Sequence, residues 1–512
     1  MTPKHEAPLR SRHLGLLLLL FAAARWQLLG HLDSPVVGWR PTDMAAIALS
    51  YYRNGFHFLY PQVFWGVSGH GYVEMEFPLV PFTTAILLKV LGEHEWVNVI
   101  CPLAFGFGLV WVTYSFGRYL RNGTVGFVAG LVVALAPNLV MLTDTGIYAD
   151  PPMVFFGALG LYWLVRWSDD GRQRSLFAAA VAVALAILLK LPALYLGIPV
   201  AVVFVEKFGV HFWKQPALWA TAAVMLLPSI LWYWHAYNLY VEYHNTFGIL
   251  AGGALKFGYS DILAHPSFYR LTVQRLSLYH FTPLGAIGLL YGSYILWQRR
   301  AVFLLSWLGA TVAFVFVAAA GVMYGHYHYL LPMLPIGALI IGMAADAFGD
   351  TLAVYSRSVR FLVAAQGFLV VAFIANAAVA AARFERRDRA MDRVVWQKMK
   401  RTGELVKQLT KPGALVIVSD TQMDHLTPEK SMTPPELFYF ADRRGWYRSM
   451  AWLTPQIVED LHAEGAGYFV VSGQAVPNFR ANRPDIYAYL ASKYRPLLDS
   501  DDGIVFELEA RP

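Results

Sequence analysis

Three short stretches of this chain place acids where they could act on another molecule. "WRPTDMAAIALSYYRNGF" (39–56) carries Asp43, "GYVEMEFPLVP" (71–81) carries Glu74 and Glu76, and "TDTGIYADPPMVFF" (143–156) carries Asp144 and Asp150. Each lies beside a long apolar run, so each meets water close to a hydrophobic boundary. A carboxylate in that position can serve as a general base, taking a proton from an incoming nucleophile. Asp43 also suits the opening of a helix, where its charge would face the positive end of the dipole. The two roles are compatible. Asp150, followed by Pro151 and Pro152, reads as a helix start in the same way. Glu74 and Glu76 suit either a solvated first helical turn or the positioning of a substrate. Together the acids could orient a hydroxyl or bind a divalent cation, although their spacing lacks a tight metal-ligand pattern.

Cations that could meet an anion stand near the same boundaries. Lys190 lies in "LLKLPALYLGIP", Arg270 and Arg275 precede an apolar run, and His326 and His328 stand in "YGHYHYLLP". Binding of a phosphate group would use them. Snorkelling of Lys190 to a lipid headgroup and interfacial anchoring of the histidines are the plainer explanations. The chain has no Walker loop, no G-x-G-x-x-G before a helix, no H-E-x-x-H and no C-x-x-C. Nucleotide, zinc-protease and redox readings therefore lose support. The net charge of +7 comes largely from Arg and Lys flanking apolar runs, so it calls for no nucleic-acid partner. The single cysteine, Cys101, sits inside an apolar run and has no partner for a disulfide within the chain.

The elements that must carry these groups are set by composition. Of 512 residues, 57% are hydrophobic and 15% charged, against about 25% charged in soluble domains. Apolar runs recur at lengths near the roughly 20 residues needed to cross a bilayer. They predict an all-α polytopic membrane protein with spans near 14–32, 97–117, 124–142, 152–167, 175–190, 191–206, 217–234, 276–297, 301–320, 329–345 and 361–382. The first is expected to stay uncleaved, because apolar residues continue through Leu28–Leu32 beyond the small "AAA" at 22–24. Residues 383–512 differ. They alternate helix-like stretches with strand-like ones ("ALVIVSD", "GYFVVS", "IVFELE"), as a small α/β domain does. The expected division is therefore 1–382 and 383–512. Within the second part, "PPELFYFADRRGW" (434–446) reads as packed domain surface or as a contact to glycan or acceptor.

The segment "FPLVPFTTAILLKVLG" (77–92) decides sidedness. If it lies at the interface without crossing, Arg118 with Arg121, Arg166 with Arg172 and Arg174, and Arg299 with Arg300 all fall on the amino-terminal, cytoplasmic side, as the positive-inside rule prefers. That arrangement needs 175–206 to make two short crossings turning at "LKLPAL". The carboxy-terminal part, the first loop 33–96, and segments 143–151, 235–275 and 321–328 then share the outer face. Helix 43–53 puts Asp43, Ser50 and Arg53 on one side and Met44, Ile47 and Tyr51 on another, the pattern of a helix lying apolar face down on the membrane.

In this order and sidedness, "PTDMAAIALSYYRNG", "GYVEMEFPLVPFTTAILLKVLG", "LAPNLVMLTDTGIYADPPMVFF", "LLKLPALYLGIP" and "HYHYLLPMLP" resemble the GT-C membrane glycosyltransferases. The likeness is to the group of protein O-mannosyltransferases and lipid A aminoarabinose transferases, with its lipopolysaccharide galacturonosyltransferase branch. It covers about residues 10–345. It implies an integral protein of a bacterial inner membrane that moves a sugar from a polyprenyl-phosphate donor to a lipid, glycan or protein acceptor outside the cytoplasm. By similarity Asp43 matches the catalytic acid of the first loop, Asp150 the acid of the second outer loop, and Lys190 a recurring lysine after the fifth span. One feature departs from the group. Where aminoarabinose transferases carry Glu-Lys-Pro, this chain has Glu74-Met75-Glu76, which moves the expected phosphate contact to Lys190, Arg270 or a histidine.

The chemistry agrees on its own terms. A phosphate leaving group needs cations more than a proton donor, and a hydroxyl or amine acceptor needs one base, so the paired acid and base of glycoside hydrolysis are unnecessary. In-line attack would invert the anomeric centre, with Asp150 and Glu76 orienting the acceptor. A transporter or flippase of a lipid-linked substrate is the main alternative. It would place ionisable groups at mid-membrane and show paired repeats, and neither is evident. A third reading is a scaffold whose α/β domain binds a partner.

Overall fold

The computed structural model describes residues 11–26, 36, 38–66, 70–251, 260–323, 326–356, 358–386, 390–420 and 435–510. Apolar runs satisfy their backbone polar groups internally only as helices when no water is at hand. They fold in the order α1 (Ser11–Ala23), α2 (Trp39–Asn54), α3 (Leu79–Leu91), α4 (Val97–Leu120), α5 (Gly123–Leu135), α6 (Pro137–Asp144), α7 (Asp150–Asp170), α8 (Gln173–Leu189), α9 (Gly197–Phe208) and α10 (Pro216–Tyr243). Then come α11 (Ser260–Ala264), α12 (Pro266–Arg275), α13 (Thr282–Gln298), α14 (Val302–Val317), α15 (Ala319–Met323), α16 (Met333–Tyr355) and α17 (Val359–Phe384).

Among the described residues, five helical stretches are long and apolar enough to cross a membrane: Val97–Leu120, Leu191–Lys214, Pro216–Tyr243, Met333–Tyr355 and Arg360–Phe384. A sixth follows if α5 and α6, bent by 53° at their junction, form one span. The bend has a local cause. Ala136 is extended and Pro137 opens α6, and proline cannot continue the helical hydrogen-bond ladder. Several of the eleven expected spans are shorter than their apolar runs. Arg12–Ala23, Gln173–Leu189 and Val302–Val317 are apolar but brief. The run 276–297 opens with a π turn at Leu276–His280 before α13 begins. Residues 27–32 of the first expected span lie outside the described residues. The break expected within 175–206 is present: Lys190 is extended, and a 3₁₀ turn, Leu191–Leu196, leads into α9.

Helix α2 differs from expectation in start and setting. It begins at Trp39 after Gly38, so Asp43 lies one turn inside the helix and does not cap it. Pro41 is tolerated because a first-turn residue has no intrahelical N–H partner to lose. Residues Pro41–Ala48, Ser50 and Tyr51 are all buried. Protein therefore wraps the first three turns on every side, and the helix does not present a single apolar face outward. The small side chains of Ala45, Ala46 and Ala48 let α3 and neighbouring segments close around it.

The last part holds α18 (Ala390–Leu409), β1 (Leu415–Ser419), α19 (Glu436–Ala441), β2 (Arg444–Tyr447), α20 (Pro455–Ala463), β3 (Ala466–Ser472), α21 (Val476–Asn482), α22 (Pro484–Lys493), β4 (Tyr494–Ser500) and β5 (Gly503–Ala510). The strands form one sheet in the order β2-β1-β3-β5-β4. β1 is parallel to β2 and β3, and β5 is antiparallel to β3 and β4. The three strand-like runs of the sequence became β1, β3 and β5. β2 escaped notice because it is four residues with a glycine. β4 escaped because it carries Pro496, which only an edge strand accommodates. Side chains alternate faces along each strand. Ile417, Phe469, Val471, Ile504 and Phe506 pack under α20–α22. Val416, Val418, Val470 and Val505 point the other way and join the hydrophobic cluster of the helical body.

Candidate active site

Arg40 and Asp43 are three residues apart in α2, which sets their side chains side by side. The Asp43 carboxyl is buried, and Trp65 Nε1 donates to its Oδ1 at 2.8 Å. Arg40 Nη2 lies 3.5 Å from Glu76 Oε1, and its guanidinium sits 4.3 Å from the centroid of the Phe247 ring. Burial pushes the Asp43 carboxyl up to about 7. The Trp65 hydrogen bond and the charge of Arg40 oppose that rise, and Glu76 adds to it. Burial acting alone would lower Arg40; the charges of Glu76, Asp43, Tyr329 and Asp150 outweigh it and raise the guanidinium.

The second pair comes from the other side of the same field. Lys190 Nζ donates to Asp150 Oδ1 at 2.8 Å. Asp150 begins α7, and Lys190 occupies the extended break after α8. The Lys190 ammonium lies 5.5 Å from the centroid of the Tyr329 ring. Arg40 and Glu76 interact electrostatically with both Asp43 and Asp150. Asp43, Glu76, Asp150, Arg40 and Lys190 thus make one charged cluster at the meeting of α2, the 71–77 segment, α7 and the break after α8.

The other expected residues lie elsewhere. Glu74 holds the 246–250 loop: its oxygens accept from Leu250 N at 2.8 Å, from Ile249 N at 3.4 Å and from the Thr246 hydroxyl. Burial raises its carboxyl. Asp144 pairs with Arg25 Nε at 3.4 Å beside Thr143. Arg275 is buried and donates to the Val322 carbonyl. Arg270 is exposed. His326 is exposed and His328 half-buried, their rings 5.4 Å apart. Tyr329, next to His328, reaches the cluster.

Four contributors were not anticipated. Arg40 was legible in principle: starting the helix at residue 39 puts it on the Asp43 side. Trp65 and Tyr329 carry no local signal beyond being aromatic. The fourth is Glu436, the first residue of α19, which packs on α2. It is fully buried, and neither carboxylate oxygen has a hydrogen-bond partner among the described residues. Burial holds this carboxyl well above the usual range, and the charges of Asp43 and Asp420 add to the effect. In "PPELFYFADRRGW", Arg443 closes the end of α18 through Lys407 O and Thr410 O, and Arg444 docks on the first loop at His70 O, 2.7 Å away. Among the described residues, no three His, Cys, Asp or Glu side chains gather closely enough to hold a metal ion.

Residues 76–234 match the family described as dolichyl-phosphate-mannose-protein mannosyltransferase, a segment that contains Glu76, Asp150 and Lys190. The fold is similar to that of ArnT from Cupriavidus metallidurans bound to undecaprenyl phosphate. That match has a TM-score of 0.61 and 15% identity, over 97% of this chain and 99% of that one. It is also similar to the Archaeoglobus fulgidus oligosaccharyltransferase complexed with zinc and sulfate, with a TM-score of 0.57 and 13% identity over 91% of this chain and 68% of that one. The same archaeal enzyme, AglB, in complex with an inhibitory peptide and a dolichol-phosphate gives a TM-score of 0.57 at 12% identity, over 91% and 70%. No curated protein matches the sequence. The family match covers residues 76–234, and the fold of the chain as a whole is similar to that of ArnT and of the archaeal oligosaccharyltransferase.

Proposed function

We propose that this chain transfers a sugar from a polyprenyl-phosphate donor to a lipid, glycan or protein acceptor on the outer side of the membrane, with Asp43 as general base. One observation carries the reading. A buried carboxyl poised near neutrality, Asp43, shares its surroundings with two cations, Arg40 and Lys190. The fold that holds them is also the fold of a protein seen with undecaprenyl phosphate. The acceptor hydroxyl or amine attacks the anomeric carbon as its proton passes to Asp43. The bond from that carbon to the phosphate oxygen breaks, and the electron pair leaves with the polyprenyl phosphate. Arg40 and Lys190 stabilise the phosphate negative charge, and Asp150 and Glu76 hold the cations and orient the acceptor. Attack opposite the leaving group inverts the anomeric centre. Arg270, Arg275, Glu74, Asp144, His326 and His328 are left outside this first circle.

The positive-inside count favours the outer face of the membrane for this site, the first loop and the carboxy-terminal sheet, and the resemblance suggests a bacterial inner membrane. The test is incubation of the purified protein in detergent with a panel of undecaprenyl-phosphate-linked sugars, following consumption of each by mass spectrometry. One donor should be consumed by the wild type and spared by Asp43→Asn. Equal consumption by the variant would refute the assignment.

A further inference from the structure

The carboxy-terminal sheet continues into the loop that holds Asp43. Trp65 and Gly445 of β2 form a parallel bridge. Gly66 N donates to Gly445 O at 3.1 Å, and Gly445 N donates to Phe64 O at 3.0 Å. On its other edge β2 pairs with β1, with Gly445 opposite Val416. A side chain at 445 would collide with that strand, since a Cβ there would lie 1.9 Å from Val416 O. Glycine therefore lets β2 pair on both edges at once, and the Trp65 segment bridges the outer edge of the sheet at this one position.

Two side chains brace the joint. Arg444 Nη2 donates to His70 O at 2.7 Å and to Val63 O at 3.4 Å, so it ties both ends of the loop that carries Trp65. Asp442 Oδ1 meets Arg53 Nη1 of α2 at 2.6 Å. Trp65 then turns inward and donates to Asp43. The chain of contacts runs from β2 through the Trp65 backbone to its indole and ends on the carboxyl.

We infer that the carboxy-terminal domain is a positioning element of the transfer site: β2 and Arg444 fix the Trp65 loop, and Trp65 holds the Asp43 carboxylate in place. The inference rests on Asp43 being the base. Its physical content is a bias on one proton. An indole N–H aimed at Oδ1 favours the ionised form of the acid. The charged and titratable groups facing Asp43 are Arg40 from its own helix, Glu76 from the 71–77 segment and Glu436 from α19. None of them is altered by changes at Trp65 or Arg444. A loosened loop should weaken the indole bond and leave Asp43 protonated to higher pH.

Two readouts follow that proton. One is the pH dependence of donor consumption. The other needs no substrate: dicyclohexylcarbodiimide reacts with protonated carboxyls in apolar surroundings, and peptide mass spectrometry gives the pH at which Asp43 labelling falls by half. Trp65→Phe keeps the ring and removes the N–H. It should move both midpoints upward by about one unit, since a hydrogen bond to a charged group contributes about 1.5 kcal/mol or more. Arg444→Ala should move both in the same direction by less, and should move neither in the Trp65→Phe background. Asp442→Asn tests the same joint with a milder change, because asparagine tolerates the left-handed backbone there. The inference is overturned if folded Arg444→Ala and Asp442→Asn proteins keep the wild-type labelling midpoint, or if they shift it equally with and without the indole N–H. If the labelling midpoint moves and transfer does not follow, the positioning stands and the base assignment falls.

Discussion

Replacement of Asp43 by asparagine should separate function from folding. Asparagine has nearly the same shape, and its carbonyl oxygen can still accept from Trp65 Nε1. What disappears is the ionised carboxylate and the burden of burying it. The carboxyl is raised from 3.8 to about 7, which corresponds to about 4 kcal/mol of lost stability at 1.36 kcal/mol per unit. The sign follows from linkage. A group whose folded-state value is raised contributes its full stability below the unfolded value and loses it as pH climbs through the folded one. The wild type therefore carries the whole penalty above about pH 7 and only a part of it at pH 5. Asp43→Asn should melt higher than wild type at pH 8, by several degrees, with a smaller difference at pH 5. Donor consumption should fall by at least about 100-fold at either pH, the usual contribution of a general base. Thermal unfolding in detergent, measured with the donor assay, gives both numbers. A variant that is less stable than wild type at pH 8, or that still consumes donor, would refute the reasoning. A purely structural acid would show that opposite pattern.

Wild-type donor consumption should rise with pH through an acidic limb near 7, as Asp43 loses its proton; a flat profile between pH 5.5 and 8 would count against it. Lys190→Met leaves the buried Asp150 carboxylate without its 2.8 Å partner, so it should destabilise the protein by about 3 kcal/mol and raise the donor KM. The double variant Lys190→Met/Asp150→Asn should recover the melting temperature and not the KM. Glu436→Gln removes a buried acid whose value lies well above normal. The same sign argument makes the variant more stable than wild type at pH 8 and nearly equal at pH 4, as unfolding scans at the two values would show.

Much of the architecture was legible because hydropathy and charge act locally and add up along the chain. Runs such as 97–117 and 217–234 must be helices, wherever they end up, since apolar surroundings leave the backbone no other partner. The strand-like runs of the carboxy-terminal part were readable for a similar reason. Helix ends were less so: α2 begins four residues before Asp43 because Gly38 and Pro41 set its entry, and the π turn at 276–280 interrupts a run whose composition shows no break.

For the site, residue type and order singled out Asp43, Asp150, Glu76 and Lys190, and their convergence required the fold. Asp150 and Lys190 stand 40 residues apart, and Asp43 takes its hydrogen bond from a tryptophan 22 residues on. Glu74 and Glu76 show what spacing cannot decide. Two residues apart, they take different partners, one the backbone of the 246–250 loop and the other Arg40. The bridge from Trp65 to Gly445, and the burial of Glu436 against α2, had no trace in the amino-acid order. Propensity and polarity belong to neighbours in the chain. Which distant carboxyl loses its water, and which indole it meets, depends on how surfaces far apart in that chain pack together.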